Sequence, residues 1–169
     1  MASRRKSREL ALQMLYQWEV GKHSPADVIA TFFAAEKKGG PAETFARRLF
    51  EGTVEDILPI DHLLREHAAN WRLERMAAID RNVLRLALFE LRHQSETPAA
   101  VVINEALEIA RRFSGEGSAA FVNGILDAVR KTLPAKGAGE APETASLTAP
   151  AATAQHATST KRARRPKPR

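Results

Sequence analysis

Residues 74–92 constrain this chain more than any other stretch. Met76, Ile79, Val83, Leu84, Leu86, Ala87, Leu88, Phe89 and Leu91 cover most of a helical circumference with apolar side chains. A helix with one apolar stripe can lie at a surface, but one apolar on most sides has to be surrounded by other elements. The fold is therefore expected to be built around this segment. Arg85 and Glu90 interrupt it, and a charge taken out of water without a partner is costly. Each of the two predicts a compensating group elsewhere in the chain.

The rest of the first 134 residues reads as helix and turn. Residues 4–20 carry Leu10, Ala11, Met14, Leu15 and Trp18 on one helical stripe and stop at Gly21. Ser24-Pro25-Ala26-Asp27 is a helix start, with Ser as cap, Pro at the first helical position and an acid at the third. Val28, Ile29, Phe32 and Phe33 follow. Gly39-Gly40-Pro41 breaks the chain before a third helix through Phe45, Leu49 and Phe50. Pro59 admits a fourth, carrying Ile60, Leu63, Leu64 and His67, and Asn70-Trp71-Arg72 reads as the turn before the central helix. Thr97-Pro98 caps a sixth helix through Val102, Ile103, Ala106, Leu107 and Ala110 to Phe113. Ser114-Gly115-Glu116-Gly117 reads as a loop and Ser118 as the cap of a seventh, with Phe121, Val122, Ile125, Leu126 and Val129. No segment alternates with period two, so the expectation is an all-α fold of about seven helices.

The charge is unevenly placed. Residues 135–169 hold seven basic and two acidic residues, a net of +5, which leaves only +1 of the total +6 for residues 1–134. This tail is rich in Ala, Pro and Thr, has little to bury and ends Lys161-Arg162-Ala163-Arg164-Arg165-Pro166-Lys167-Pro168-Arg169, so it reads as disordered. Residues 1–134 are expected to form the folded domain. Any polyanion must meet that domain through local clusters, namely residues 4–8, Arg47-Arg48 and Arg111-Arg112.

The first cluster conflicts with helix stability. Arg4, Arg5, Lys6 and Arg8 crowd the positive end of a helix dipole, where exposed cations cost roughly 0.3–1 kcal/mol each. An incoming phosphate backbone resolves the conflict, and a frayed basic terminus is the plainer alternative. The loop around Gly117 and Ser118 opens a helix whose free N–H groups suit a phosphate, but it lacks the Lys of a P-loop and no strand precedes it. Gly124, inside the seventh helix, costs about 1 kcal/mol relative to Ala and points to close approach by another helix or by a partner. Glu74 and Asp80 flank the start of the central helix, as a solvated face or as a dock for a basic partner.

Several chemistries are excluded or unsupported. With no cysteine there are no disulfides, thiolate metal sites or cysteine nucleophiles, which suits a reducing cytoplasm. His62 and His67 are five apart, not the three or four that a two-histidine metal site on a helix requires, so no metal is expected. Gln13, Gln17 and Glu19 interrupt the basic amino-terminal stretch, so no signal peptide or membrane span is expected.

Three blocks, in this order, carry a resemblance. They are Arg8-Glu9-Leu10-Ala11-Leu12-Gln13-Met14-Leu15-Tyr16, then residues 80–91 (DRNVLRLALFEL), then Pro98 through Val102-Ile103-Asn104-Glu105-Ala106 to Phe121-Val122-Asn123-Gly124-Ile125-Leu126-Asp127. Together they resemble the NusB family of bacterial transcription antitermination factors over residues 3–133. The resemblance implies two small packed helical bundles with no catalysis and no cofactor. It implies a ribosomal-protein partner, NusE, and joint binding to the boxA element of nascent RNA. It also implies action with other Nus factors on RNA polymerase, above all in ribosomal RNA operons. By position, Arg4, Arg5, Lys6 and Arg8 match the family's arginine-rich RNA-binding segment, and Tyr16, Glu74, Asp80 and Phe121 match positions at or near the NusE surface. Gly117 departs from the pattern, since some relatives place an acid there near the RNA. The tail after Pro134 lies outside the pattern, and a homodimer is left open.

Two rival readings compete with this one. A similar helical domain precedes some ribosomal RNA cytosine methyltransferases, but those need catalytic cysteines and a glycine-rich methyl-donor loop, and this chain has no cysteine. A module that binds protein but not RNA would leave residues 4–8 without a purpose.

Overall fold

The computed structural model describes residues 2–34, 40–68 and 70–134. Among them are seven α-helices, one short 3-10 turn and no strand. The helices are α1 (Ala2–Gly21), α2 (Pro25–Ala34), α3 (Pro41–Glu55), α4 (Ile57–His67), α5 (Ala78–His93), α6 (Ala99–Ser114) and α7 (Glu116–Thr132). The 3-10 turn is Leu73–Arg75. The expected disordered tail lies outside the described residues.

The helices α1, α2 and α3 pack on one another as a first small bundle, and α4 to α7 form a second. As its sequence requires, α5 is central and touches α1 and α3 of the first bundle as well as α4, α6 and α7 of its own. Eleven of its residues are buried, Arg85 and Glu90 among them. Both charges have the partners their burial demands. Arg85 donates from Nε and Nη2 to Asp61 of α4, each at 2.8 Å, and from Nη1 to Glu19 of α1 at 2.9 Å. Glu90 accepts from Nε and Nη2 of Arg8 at 2.7 and 2.8 Å. Removing one member of a pair buried this way costs about 3–5 kcal/mol, because the other charge is stranded. The two pairs join the central helix to its neighbours at its middle and near its carboxy-terminal end.

Two element boundaries differ from the sequence expectation, each for a local reason. The fifth helix begins at Ala78 instead of residue 74, because Leu73 and Met76 both turn into the core and the chain is extended at Met76. Arg81 secures this turn by donating to the carbonyls of Leu73 and Met76 at 3.0 and 2.8 Å. Glu74 therefore lies in the 3-10 turn. The seventh helix begins at Glu116, so the expected loop shrinks to Gly115, whose φ of 103° is a backbone conformation that favours glycine. Ser118 is then inside the first turn of α7 and does not cap it.

The expected start of α2 is realised. The Asp27 amide donates to Ser24 Oγ at 3.1 Å, and that hydroxyl donates to the Asp27 carboxylate at 2.6 Å. At Gly52 of α3 a β-carbon would sit 2.1 Å from the Phe89 ring, so glycine is what allows α3 to approach α5 this closely.

Candidate nucleic-acid and partner interfaces

The first turns of α1 hold the basic segment, and the structure divides its four cations into different environments. Arg4 and Lys6 are exposed, with no ion-pair partner among the described residues. The guanidinium of Arg4 lies 4.9 Å over the Phe45 ring of α3, a cation–π contact. Arg5 is half exposed and donates from Nε and Nη2 to Glu105 of α6 at 2.9 and 2.7 Å. Arg8 is buried, with 3% of its surface accessible, and its guanidinium is committed to Glu90. The expectation that Arg8 faces RNA with the other three is therefore replaced by a structural role, since the side chain points inward. Its number places it on the buried face, three residues before Ala11 and seven before Leu15.

Acidic groups of α5 and α6 thus hold the segment in place. Glu105 also lies 3.8 Å from Arg8 Nη1, so Arg5, Glu105, Arg8 and Glu90 form one chain of alternating charge. The hydrogen bond from Arg5 holds the Glu105 carboxyl below its ordinary value of 4.5, and the same bond raises the Arg5 guanidinium. Ser7 adds a link to α3, donating to the Ala42 carbonyl at 2.7 Å. Farther along the same side, Arg112 of α6 reaches Glu9 at 2.6 Å and keeps most of its surface exposed. Arg111 pairs with Glu108 and, at 2.6 Å, with Glu116 at the start of α7.

The expected RNA-binding residues Gly117 and Ser118 lie elsewhere. Ser118 Oγ donates to Asp80 Oδ2 at 3.0 Å, next to the start of α5, whereas Arg8 meets Glu90 ten residues farther along that helix. Ten residues of helix span about 15 Å. The two groups do not form one pocket; Arg111 and Arg112 lie on the helix that leads from one to the other. Gly117 is exposed, with open space where a side chain would be.

Two of the partner candidates, Asp80 and Phe121, lie beside Ser118. Asp80 is buried at 8% exposure, and its Oδ1 has no hydrogen-bond partner. Phe121, one turn after Ser118, packs edge-on against Trp71, with ring centroids 5.3 Å apart and planes at 70°. Trp71 is 60% exposed, and the sequence marks it only as part of a turn. An aromatic residue within a polar turn is the one signal that could have singled it out. Glu74 is exposed and pairs with Arg65 at 3.2 Å; its carboxyl lies below the ordinary range, first through its own backbone hydrogen bond and then through Arg65. Tyr16, on α1, is exposed, and among the described residues no hydrogen bond or ring contact joins it to this patch. Gly124 also faces open space, so packing within the domain is not the reason for a glycine there.

Nothing in these regions resembles a reaction centre. A cleft of about 610 Å³ between α3 and α5 has a mixed lining in which Arg47 pairs with Glu51 and Asp56 with His93. Among the described residues no three His, Asp or Glu side chains are grouped as metal ligands, and His62 pairs with Glu66 at 3.2 Å.

Residues 5–131 match the model of the NusB family. The chain belongs to the NusB family. It is 52% identical over 136 residues to the transcription antitermination protein NusB of Koribacter versatilis, covering 79% of this chain and 92% of that one. With the NusB of Solibacter usitatus the identity is 47% over 138 residues, covering 79% and 92%. The fold agrees with solved NusB structures. Thermotoga maritima (T. maritima) NusB superposes with a TM-score of 0.70 at 36% identity, covering 76% of this chain and 90% of that one. A structure of the antitermination factors NusB and NusE in complex with dsRNA gives a TM-score of 0.72 at 25% identity, covering 79% and 99%. The family match takes in both regions described above apart from Arg4 and ends before the basic tail. No described helix is long and apolar enough to cross a membrane.

Proposed function

We propose that this protein is a transcription antitermination factor without catalytic activity. It binds boxA-type RNA of nascent transcripts together with NusE. In this reading it acts in the cytoplasm with other Nus factors on RNA polymerase, chiefly in ribosomal RNA operons. Membership of the NusB family is the observation that carries the reading. The geometry supports a division of labour. Arg4, Lys6 and the half-exposed Arg5 meet the RNA, with Arg112 extending the basic side toward Gly117 and Ser118. Asp80, Phe121, Glu74 and Trp71 form the surface for NusE, with Tyr16 as an outlying candidate. The buried Asp80 oxygen that lacks a donor suits a basic side chain of that partner.

The deciding experiment is a fluorescence anisotropy titration with boxA-type and scrambled RNA, with and without NusE, at several salt concentrations. An Arg4→Gln/Lys6→Gln variant is expected to bind RNA more weakly. Its slope of log affinity against log salt should fall by about 0.7 for each phosphate of a single strand that the variant no longer neutralises. Unchanged affinity and slope would leave the basic turn without an RNA role. A module that binds protein only is the second reading, favoured by the internal pairing of Arg5 and Arg8. It requires NusE binding with no salt-dependent RNA binding at all.

A further inference from the structure

The pairing of Arg5 with Glu105 separates this arginine from its neighbours in chemistry as well as in position. A guanidinium has five N–H donors. Glu105 takes one from Nε and one from Nη2, which leaves the Nη1 edge and the outer Nη2 hydrogen free. Of these three, one on Nη1 and the outer one on Nη2 are parallel and point off the open end of the guanidinium. The carboxylate also cancels the charge that would draw a phosphate. Its own position is fixed from behind, because Glu105 sits against Arg8 Nη1 at 3.8 Å and Arg8 is locked on buried Glu90. Arg4 and Lys6 have no such brace and keep their charge.

We propose that Glu105 is a positioning residue that presents Arg5 as a base reader. Arg5 would take the guanine edge carrying O6 and N7 in single-stranded RNA, while Arg4 and Lys6 hold phosphates. That edge offers two neighbouring acceptors and no donor, which matches a braced pair of N–H groups; adenine places a donor where O6 would be. Bases of single strands are accessible for such hydrogen bonds. This inference rests on the RNA-binding reading above.

The test uses the full chain and labelled oligouridine carrying one central guanine, 7-deazaguanine, adenine or cytosine, titrated by anisotropy at several salt concentrations. The wild type is expected to bind the guanine strand at least about fivefold more tightly than the others, the lower end for one bidentate base pairing. Arg5→Lys and Glu105→Gln should each reduce that preference to less than about twofold, and combining them should remove nothing further. Arg5→Lys keeps the charge at a half-exposed position, so it carries the test even if Glu105→Gln perturbs the fold. The salt slope of Arg5→Lys should change by less than the equivalent of one phosphate, about 0.7. A wild type that binds every strand equally overturns the inference. So does a Glu105→Gln variant that binds all strands more tightly, with a steeper salt slope and its guanine preference intact; Glu105 would then only compete with phosphate for Arg5. If no strand binds in a salt-dependent way, the functional reading itself fails, and this inference with it.

Discussion

The two ends of α5 satisfy their charges differently. Near Glu90 the pairs are complete: Arg8 on Glu90, Arg5 on Glu105 and Arg112 on Glu9, joining α1, α5 and α6. Near Asp80 the arrangement is unfinished. One carboxylate oxygen accepts from Ser118 and the other accepts from nothing, while Trp71 lies largely in solvent beside Phe121. A completed network sets the geometry of a rigid surface, suited to a flexible ligand such as a single strand. An unfinished one leaves free energy to be gained when a folded partner supplies the missing donor and covers the aromatics.

The largest effect should come from breaking the completed end. Glu90→Ala strands Arg8 in the core and is expected to cost about 3–5 kcal/mol. That is roughly a 10–18 °C fall in melting temperature for a domain of this size. Arg8→Met/Glu90→Leu, which removes both charges and keeps volume, should recover most of that stability. Thermal denaturation by circular dichroism reads both. A double variant no better than the single one would mean that Arg8 and Glu90 do not act as a pair.

The next effect tests the unfinished end. Asp80→Asn keeps the shape and an acceptor for Ser118 but removes the charge. Stability should change by less than about 1 kcal/mol, whereas affinity for NusE should fall about tenfold, the equivalent of 1.4 kcal/mol. Calorimetry with purified NusE measures it. Equal affinities would remove Asp80 from the partner surface and leave its unpaired oxygen a local feature of the fold.

These two ends are not equally legible in the sequence. Helical period and apolar coverage identify α5 as central and mark Arg85 and Glu90 as buried charges in need of partners, because both follow from which face of one helix is apolar. Their partners are not legible. Arg8 and Glu90 are 82 residues apart, Arg5 and Glu105 are 100 apart, and periodicity carries no information on what crosses between elements. Four basic residues together read as one exposed cluster, which takes in Arg8 although its place three before Ala11 puts it on the buried stripe. Ser118 resembles a cap because it follows two glycines; the positive φ at Gly115 lets α7 begin already at Glu116, and Ser118 becomes a side-chain donor to Asp80.

A smaller effect, of opposite sign in stability and binding, sharpens the comparison. Gly124 follows Phe121 by three residues, on the neighbouring face of α7, with room for a β-carbon. Gly124→Ala should stabilise the free protein by about 0.5–1 kcal/mol, since it removes the backbone-entropy cost of glycine in a helix. If a partner backbone approaches closely here, the same methyl group should weaken NusE binding. A more stable variant with unchanged partner affinity would place Gly124 outside the interface.

The smallest effect concerns the half-exposed Arg5–Glu105 pair, where solvent screens most of the attraction. Its sign follows from the direction of the shift. Glu105 has a folded-state pKa below its ordinary value of 4.5, because its carboxylate accepts the Arg5 hydrogen bond. A depressed acid stabilises the fold while it is ionised, above its unfolded value, and loses that contribution as pH falls through the folded value. The melting temperature of the wild type should therefore exceed that of Arg5→Gln by a constant margin at neutral pH. The margin should close as the pH is taken from about 4.5 downward. Arg8 and Glu90 are left intact in both proteins, so their contribution cancels in the difference. A margin that stays constant through this acid range would show that Arg5 acts on stability through packing and not through its bond to Glu105. The braced geometry inferred for Arg5 would then lose its physical basis.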